Sequence, residues 1–561
     1  MIIKRIYTRI FKIILIVFSI LAVLAGVFFF IVALHEPVIK DPVYYNSLKR
    51  DSINNGWVCG KNWIHKNDVG LYEMYLEGNP YERGYINGLL SQELVKRQED
   101  FFVNRLNQML PSSVYQYFLK MFVLWFNKDL DESIPEEYKE EIFGVSQFAS
   151  DRYSYIGRPY QRLLNYHGAH DIGHAMQNMN LVACSSFGLW NEYTSDSSLL
   201  IGRNFDFYAG DEFAQEKIVL FMKPNKGYNF MMVTWGGMTG VVSGMNDRGI
   251  TVTLNAAASD IPSGSATPVS IISRDILQYS KNIQEAFTIA SRYKSFVSES
   301  FLIGSANDHK VVIIEKTPDT TVLYTSADRS KILCTNHFQS NVFAKDPINV
   351  KNMNESATVH RFKRLEQLLS EQKQWNETDA ATVLRNRFGM DNSDIGMSNE
   401  NTLNQLVAHH SIIFEPEKKI VWVSSNPYQL GAFVAYDLNK IFSGKYNLKG
   451  LNKVYESNLT ISPDSFLFSD EYKDYVLYKQ IVSRLTRSNF QTTLSEAEIA
   501  SFLHSNPEYF DTYLLVANYY IQHKEYQKAL VLLKKAQSKV IPRKVDTDRI
   551  ANLIQTCMKH I

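Results

Sequence analysis

The sequence predicts an α+β layered domain that follows an apolar N-terminal helix and precedes a helical C-terminal region. Three observations carry this prediction. First, the stretch from Ile13 to Leu34 contains no charged residue. Second, short β-branched and aromatic runs alternate with turn-forming residues from Cys184 to about residue 423, which is typical of strands. Third, these runs cease after about Lys449 and helical periodicity takes over. Because two helical patterns interrupt the strands, sheets covered by helices are favoured.

The composition is that of a globular protein with a large core. The chain has 561 residues, of which 45% are apolar and 21% are charged, an ordinary balance for a folded protein. Its 33 Phe and 32 Tyr exclude a disordered chain. The 59 basic and 58 acidic side chains leave a net charge of +1, which offers no overall field for nucleic acid. We therefore expect more than one domain and no nucleic-acid partner.

The N-terminal apolar run is long enough to cross a bilayer as a helix. Basic residues precede this run and acidic residues follow it, so the positive-inside rule leaves residues 1–12 in the cytoplasm. Residues 13–34 are then a transmembrane anchor, and the rest of the chain is periplasmic or otherwise extracytoplasmic. The alternative is a cleaved signal peptide, whose apolar region normally has about 7–15 residues. The basic residues are Lys4, Arg5, Arg9 and Lys12, and the acidic ones are Glu36 and Asp41.

Four regions follow the anchor. Residues 35–56 form a linker with Pro37 and Pro42, residues 57–183 are predicted to be mainly helical, residues 184–449 carry the strands, and residues 450–561 are helical. In the last region, Asn506 to Ser538 resembles one tetratricopeptide repeat. A single repeat does not form a stable solenoid, so the tail is expected to pack on the rest or to bind a protein partner. Its repeat-like positions are Leu514, Ala517, Tyr520, Tyr526, Ala529 and Ala536.

Cys184 opens an apolar strand of a predicted hairpin. A polar turn over residues 194–198 joins it to a second apolar run over residues 199–206. This hairpin would hold Cys184 near Arg203 and Asp206. A thiol beside a guanidinium should have a lowered pKa and more of the nucleophilic thiolate. Considered alone, however, a strand cysteine is usually a buried core residue.

Five motifs occur in a fixed order along the chain. With them, the chain resembles the penicillin acyltransferase-like family of autoproteolytic N-terminal nucleophile hydrolases. That family is related to choloylglycine (bile salt) hydrolases, penicillin V acylases and acid ceramidase. The resemblance covers about residues 57–440. The motifs are Gly78–Gly84 with Gly88, Cys184–Phe187 with Gly202–Asp206, Gly244–Ile250 leading to Asn255, Thr335–Phe338, and Ser356–Leu369.

The resemblance implies a four-layer αββα sandwich and a self-processing cysteine. Cleavage between Ala183 and Cys184 would make residues 57–183 a pro-segment and residues 184–449 the catalytic domain. The freed α-amino group of Cys184, with a reference pKa of about 7.7–8.0, would serve as general base. No cofactor is implied.

The resemblance also assigns roles to other residues. Asp206 would hold the α-amino group, and Arg203 would favour the thiolate. Asn255 and Asn336 would donate hydrogen bonds to the oxyanion. The arginine-bearing helix motif points to Arg361, although Arg364 lies close by.

These residues predict an enzyme that hydrolyses or transfers the acyl group of a linear amide. Both reactions would pass through an acyl-thioester on Cys184, and the substrate would be a small N-acyl amide. The competing hypothesis is a non-catalytic envelope scaffold that works through its repeat-like tail. The presence of all the motif residues argues against that scaffold.

The chain has three further cysteines and a histidine cluster just before Cys184. Cys59, Cys334 and Cys557 form no CxxC pair, although an oxidising compartment would allow some of the cysteines to pair. A core position is favoured for Cys557 and for Cys334, with a position at the border of the site as the alternative for Cys334. Cys334 lies two residues before Asn336, so a disulfide from it to Cys184 would rule out the proposed catalysis. His167, His170, Asp171 and His174 are candidates for a metal site, but a polar helix face is favoured.

Overall fold

Two β-sheets packed face to face form the centre of the protein. The structure is a computed structural model in which residues 2–40, 42–110, 112–168, 171, 182–207, 210–259, 264–371, 373–444 and 453–561 are described. In this part of the chain one sheet has eleven strands and the other has seven. The predicted mixed α/β architecture with two sheets is therefore confirmed.

The larger sheet combines strands from both sides of Cys184. Neighbouring strands within this sheet are antiparallel except for β4 and β7, which pair in parallel. Its strands, in spatial order, are β1 (Asp51–Ile53), β2 (Gly56–Cys59), β3 (Asn62–Lys66), β4 (Tyr72–Gly78), β7 (Ile218–Pro224), β8 (Phe230–Thr234), β9 (Ser243–Asn246), β10 (Ile250–Ala256), β11 (Glu299–Ser305), β12 (Lys310–Lys316) and β13 (Thr321–Tyr324).

The smaller sheet is antiparallel and contains the predicted hairpin as β5 and β6. Its strands, in spatial order, are β14 (Lys331–Cys334), β5 (Val182–Leu189), β6 (Leu200–Phe207), β15 (His410–Glu415), β16 (Ile420–Ser424), β17 (Phe433–Asp437) and β18 (Glu456–Ile461).

The described part of the chain also contains helices, some of which cover the outer faces of the sheets. In chain order the helices are α1 (Ile2–Ile31), α2 (Pro42–Asn46), α3 (Pro80–Met109), α4 (Ser113–Phe126), α5 (Glu136–Ser146), α6 (Pro159–His167), α7 (Asp211–Gln215), α8 (Val269–Tyr279), α9 (Ile283–Arg292), α10 (Pro347–Glu355), α11 (Thr358–Ser370), α12 (Glu377–Leu384), α13 (Leu438–Ile441), α14 (Asp470–Arg487), α15 (Glu496–Ser505), α16 (Phe510–Gln522), α17 (Tyr526–Gln537) and α18 (Lys544–His560).

Three buried clusters define the order of the layers. In the first, side chains of α3 and α8 pack on one face of the larger sheet. In the second, the other face of this sheet packs on the smaller sheet, and in the third the outer face of the smaller sheet packs on α11 and α12. The layers therefore run helices, sheet, sheet, helices. Representative side chains are Leu90, Ile272 and Val252 in the first cluster, Phe221, Leu302 and Ile412 in the second, and Ile413, Trp422 and Leu365 in the third.

The region before Cys184 is less helical than predicted. Strands β2, β3 and β4 lie in the segment expected to be a helical pro-segment, and β1 lies in the expected linker. The parallel pair β4–β7 joins residues far apart in sequence, such as Met74 and Leu220, and local periodicity cannot reveal such a partner. A chain cut after Ala183 would thus keep its first part hydrogen-bonded within the sheet.

The smaller sheet also extends beyond the expected boundary near residue 449. Strand β18 pairs with β17 through Phe433–Ile461 and Ala435–Glu456, with a register shift between them. It is an edge strand whose residues are mostly exposed or half-buried, so its sequence lacks the apolar alternation of a buried strand. The helical tail begins at α14.

The N-terminal helix α1 is long and apolar enough to cross a membrane. The candidate span is Arg9–Ile31, with a mean hydropathy of 3.1 and none of its most apolar stretch buried in the protein. A signal sequence near the N-terminus would meet the same criteria of length and apolar composition. The cytoplasmic N-terminus and the extracytoplasmic position of the rest stay predictions.

In the tail, α16 and α17 pack against each other around small side chains. Leu514, Ala517, Ala529 and Ala536 all lie in one buried cluster together with Ile550 of α18. This packing accounts for the small residues, while the tetratricopeptide assignment and a protein partner stay predictions.

Candidate active site

Cys184 lies fully buried on β5 beside Arg203 of β6. Its Cα pairs with that of Phe205, and Ser186 pairs with Arg203. Since side chains two residues apart point to the same face of a strand, the thiol and the guanidinium share a face. The Arg203 Nη2 atom lies 3.5 Å from Cys184 Sγ. The sequence prediction that these two side chains meet agrees with this geometry.

The net effect on the thiol differs from the expectation. Burial raises the pKa of the Cys184 thiol above its ordinary value, and Arg203 lowers it by less. Desolvation penalises a thiolate wherever water is excluded, and Cys184 has no exposed surface. In the continuous chain, therefore, the thiol is favoured over the thiolate.

Asp206 lies on the opposite face of the hairpin from Cys184, because its Cα pairs with that of Ala183. Its carboxylate oxygens are buried and have no hydrogen-bond partner among the described residues. Burial raises the pKa of Asp206 to about 7, against the opposing influence of Arg361 and Arg203. The Cys184 backbone N–H donates to Asn336 Oδ1 at 2.9 Å, so in the uncut chain Asn336, not Asp206, holds this nitrogen.

Both predicted asparagines lie next to the hairpin, but their amide groups are engaged. Asn336 Nδ2 donates to Ala256 O at 2.8 Å, and Asn255 Nδ2 donates to Cys334 O at 3.2 Å. Asn255 Oδ1 accepts from Ser186 Oγ at 2.7 Å. Their predicted role as oxyanion donors therefore requires these bonds to rearrange, and it stays a prediction.

Arg361 on α11, not Arg364, reaches Cys184. Arg361 Nη1 donates to Ser185 Oγ at 3.0 Å and to Cys184 O, and Nη2 donates to Asn336 Oδ1 at 2.7 Å. Arg364 faces away and donates to Asn386, Gln367 and Asn392. The structure thus separates two arginines that the sequence left close together.

These two arginines provide a matched test. Arg361→Lys should reduce cutting between Ala183 and Cys184 by about 10- to 100-fold, because charge-assisted hydrogen bonds contribute about 1.5–3 kcal/mol. Arg364→Lys, on the same helix, should leave cutting unchanged. The measurement is the rate at which the freshly synthesised chain splits, followed by gel electrophoresis. Equal rates in the two variants would contradict the assignment of Arg361.

A buried polar chain behind Arg203 was missed by the sequence analysis. Arg203 Nη1 donates to Ser243 Oγ, which lies 2.8 Å from His410 Nε2, and His410 Nδ1 lies 2.9 Å from His409 Nδ1. Burial holds the pKa of both histidines well below the ordinary value, so the rings are neutral. Adjacent histidines at the start of a strand were the available signal, but their partner Ser243 lies far away in sequence.

Glu299 on β11 is a second residue that the sequence analysis missed. Its carboxylate is buried without a hydrogen-bond partner among the described residues. Burial, reinforced by Asp171, raises its pKa well above the ordinary value, and Arg203 opposes this shift. Burial likewise raises the pKa of Asp171 to about 8. A single acidic residue in an apolar strand gives no sequence signal of this kind.

The remaining cysteines are free and buried. Cys334 therefore forms no bond to Cys184, and it packs in the cluster between the two sheets, as expected of a core residue. The condition that Cys184 be unpaired is met.

His167 uses both ring nitrogens within the protein. Nδ1 lies 2.8 Å from Leu163 O, and Nε2 accepts from the Thr239 N–H at 3.0 Å. Burial lowers its pKa to about 4. This agrees with a satisfied helix residue rather than a metal ligand, while His170 and His174 lie outside the described residues. Among the described residues, no group of three metal-ligating side chains occurs.

Fold and site together define a mixed α/β protein of two packed sheets with a buried cysteine–arginine pair. Residues 192–427 match the model of the family described as acyl-coenzyme A:6-aminopenicillanic acid acyl-transferase. The resemblance to the penicillin acyltransferase-like family is therefore confirmed for this segment, which is less than half of the chain. The segment includes Arg203, Asp206, Asn255, Asn336 and Arg361 but begins after Cys184.

A curated relative also matches part of the chain. An uncharacterised protein of Archaeoglobus fulgidus is 27% identical over 249 residues, which make up 42% of this chain and 41% of that protein. The chain thus spans about two fifths of the length of this relative, and the relative's name assigns no activity.

Several solved structures are similar at low identity. An N-acylethanolamine-hydrolyzing acid amidase ortholog of Caenorhabditis elegans has 18% identity and a TM-score of 0.31, covering 42% of this chain and 93% of that one. A conjugated bile acid hydrolase of Clostridium perfringens has 17% identity and a TM-score of 0.32, covering 50% of this chain and 99% of that one. Penicillin V acylase of Agrobacterium tumefaciens has 13% identity and a TM-score of 0.31, covering 48% of this chain and 88% of that one. Similarity at this level does not establish a shared activity.

The raised pKa of Asp206 predicts a pH-dependent stability. Its folded pKa of about 7 exceeds the unfolded value of about 3.9, so the folded chain binds the extra proton between these values. The free energy of unfolding must then fall as pH rises through this window. In an uncut Cys184→Ala background, Asp206→Asn should match the parent near pH 4 and be more stable by roughly 2–4 kcal/mol near pH 8.

This difference is measurable by chemical unfolding of the detergent-solubilised chain across that pH range. Asp474→Asn, at an exposed position of α14, is the control for removing a carboxylate. If the free energies of unfolding of the Asp206 variant and the parent differed by the same amount at every pH, the raised pKa of Asp206 would be refuted.

Proposed function

We propose that the protein is a self-processing cysteine hydrolase or acyltransferase that acts on a linear N-acyl amide bond. The observation that carries the proposal is the placement of Arg203 Nη2 at 3.5 Å from the buried Cys184 Sγ. The segment that follows Cys184, residues 192–427, matches the model of an acyltransferase family, and this match supports the same reaction class. In this proposal Cys184 is the nucleophile of both the processing step and the turnover.

Processing would begin with attack of the Cys184 sulfur on the Ala183 carbonyl carbon. The C–S bond forms, the Ala183–Cys184 C–N bond breaks, and the thiol proton passes to the leaving nitrogen. Water then hydrolyses this thioester, which frees the Ala183 carboxylate and restores the thiol. Arg361 supports the step because it binds the carbonyl oxygen of Cys184 and the hydroxyl of Ser185, holding the strand on one side of the bond that breaks.

Turnover would use the α-amino group that the cut creates. This amine takes the proton of the Cys184 thiol, and the sulfur attacks the acyl carbonyl of the substrate. The ammonium then returns the proton to the leaving amine, leaving an acyl-thioester on Cys184. Water completes hydrolysis, and a second amine completes acyl transfer. In the uncut chain the backbone nitrogen of Cys184 is already held in a defined position, because its N–H donates to Asn336 Oδ1.

An apolar cavity near the hairpin favours a substrate with an apolar acyl group. Phe207 stacks on Phe205 at a centroid distance of 5.6 Å and on Trp235 at 6.2 Å, and Phe205 pairs with Cys184. Phe207, Phe213 and Trp235 line this cavity together with residues of α3 and α6. Such pockets bind ligands mainly through apolar contacts.

The enzyme is proposed to act outside the cytoplasm while tethered by α1. Residues just after α1 are built into the domain: Leu34 is buried with residues of α5 and α6, and the His35 N–H donates to Asp131 Oδ2 at 2.7 Å. A cleaved signal sequence would not need such contacts. They therefore support an anchor that stays attached.

The scaffold hypothesis is not favoured. It would leave the buried contacts among Cys184, Arg203, Arg361 and Asn336 without a role, and unpaired polar groups in a core cost stability. The carboxylates of Asp206 and Glu299 are such groups.

Mass spectrometry of the full chain purified from membranes tests the proposal. Two chains, beginning at Met1 and at Cys184, are expected, and incubation with N-acyl amides of varied acyl length should add an acyl mass to the second chain. A single uncut chain that takes up no acyl group would refute the proposal.

A further inference from the structure

Helix α4 exposes a continuous apolar face that the proposed function leaves unused. We propose that this face lies in the interface of a phospholipid bilayer, the same one that α1 crosses. The proposal rests on the membrane-spanning role proposed for α1. Together, α1 and α4 would hold the catalytic domain directly against the lipid surface.

The exposed face runs the length of the helix. Phe118, Phe122 and Trp125 are 65%, 53% and 50% exposed, and together with Val114 they follow the spacing i, i+4, i+8 and i+11 of one helical face. Tyr115 and Tyr117 flank this stripe and are also exposed. Soluble proteins rarely leave apolar patches of this kind uncovered.

The opposite face of α4 attaches it to the protein. Leu124 is buried, and Lys120, the only charged residue of the helix, donates to the carbonyl of Tyr155. The charge is therefore held on the protein side, so the outward face carries none. This division matches helices that lie in a membrane interface with their apolar side toward the lipid.

The outer end of α1 touches α4. The rings of Phe28 and Trp125 stack at a centroid distance of 6.1 Å and an interplanar angle of 14°. Because the span of α1 is uncovered by protein, the medium that surrounds its outer end also reaches α4. Tyr and Trp are the side chains that concentrate at membrane–water interfaces. This continuity favours lipid over a partner protein.

Introduced cysteines can test the proposal in the full chain carrying Cys184→Ala, because the three other native cysteines are buried. Phe118→Cys, Ser19→Cys in α1 and Val531→Cys in α17 are labelled with an environment-sensitive fluorophore, and the Cys184→Ala chain without an introduced cysteine, treated with the same fluorophore, controls for selectivity. Each protein is reconstituted in vesicles of phosphatidylcholine and phosphatidylglycerol. Quenching by nitroxide lipids and by aqueous iodide is then compared.

At position 118 we expect quenching by headgroup-level nitroxide lipids and loss of iodide quenching relative to position 531, which is 66% exposed. Position 19 should be quenched by lipids with deeper nitroxides. Iodide quenching at 118 equal to that at 531, with position 19 in lipid, would overturn the proposal alone. Protection at 118 from both quenchers would instead indicate a second copy and overturn it too. Absence of lipid quenching at 19 would overturn the anchor and this proposal together, without touching the chemistry of Cys184.

Discussion

Replacing Cys184 with alanine is expected to abolish both cutting of the chain and acyl uptake. The thiol is the only proposed nucleophile, and alanine leaves no atom that can attack the Ala183 carbonyl. The side chain is buried in the cluster that contains Phe205 and Leu254, so the small loss of volume should leave the fold intact. The measurement is mass spectrometry of the purified chain before and after incubation with an N-acyl amide.

Cys334→Ala is the matched control. Cys334 is also a free, fully buried cysteine close to the hairpin, but its side chain packs between the sheets. This variant should be cut and acylated like the wild type. Residual cutting between Ala183 and residue 184 in the Cys184→Ala protein would contradict the proposed self-processing mechanism.

Arg203→Lys should have the second largest effect. The guanidinium reaches Cys184 Sγ, Ser243 Oγ and the carbonyls of Val242 and Leu254 at once, and a single ammonium cannot reproduce that fork. Loss of one charge-assisted bond to the thiolate, at about 1.5–3 kcal/mol, predicts a roughly 10- to 100-fold slower alkylation of Cys184 by iodoacetamide. Cutting should slow in parallel.

A second buried arginine separates reactivity from stability. Arg274 is also fully buried and multiply bonded, to Glu141 and to Thr239 O, but it does not touch the hairpin. Arg274→Lys should lower the unfolding midpoint as Arg203→Lys does, yet leave the alkylation rate of the folded chain unchanged. Equal alkylation rates in the wild type and the Arg203 variant would contradict the role given to Arg203.

Ser243→Ala should give a smaller change in the same direction. The hydroxyl accepts from Arg203 and lies 2.8 Å from His410, so its removal frees the guanidinium to turn away from the sulfur. Ser243→Thr keeps the hydroxyl and should restore most of the alkylation rate. A purely structural role would not produce that difference between two variants of similar stability.

Much of the site follows from local sequence. The hairpin that joins Cys184 to Arg203 consists of two apolar runs and a short polar turn, and strands so close in sequence pair because closing the loop costs little entropy. The resemblance that the ordered motifs carry also implied that Asn255, Asn336 and Arg361 lie near the hairpin. The charge-free run of α1 is likewise a local property.

Other features depended on contacts between distant residues. The parallel pairing of β4 with β7 and the contact of Ser243 with His410 join segments that no local pattern connects. The choice between Arg361 and Arg364 depended on which way α11 faces the hairpin.

The sequence by itself determined the hairpin, the ordered motifs, the charge-free run within the N-terminal helix and the residue types available for catalysis. Only the tertiary structure decided their electrostatics: beside Arg203, complete burial raises the pKa of Cys184 where proximity alone predicted the reverse. It also decided which face of α4 is left uncovered. The physical reason is that strand pairing across a short turn is local, whereas desolvation and exposure depend on everything packed around a group.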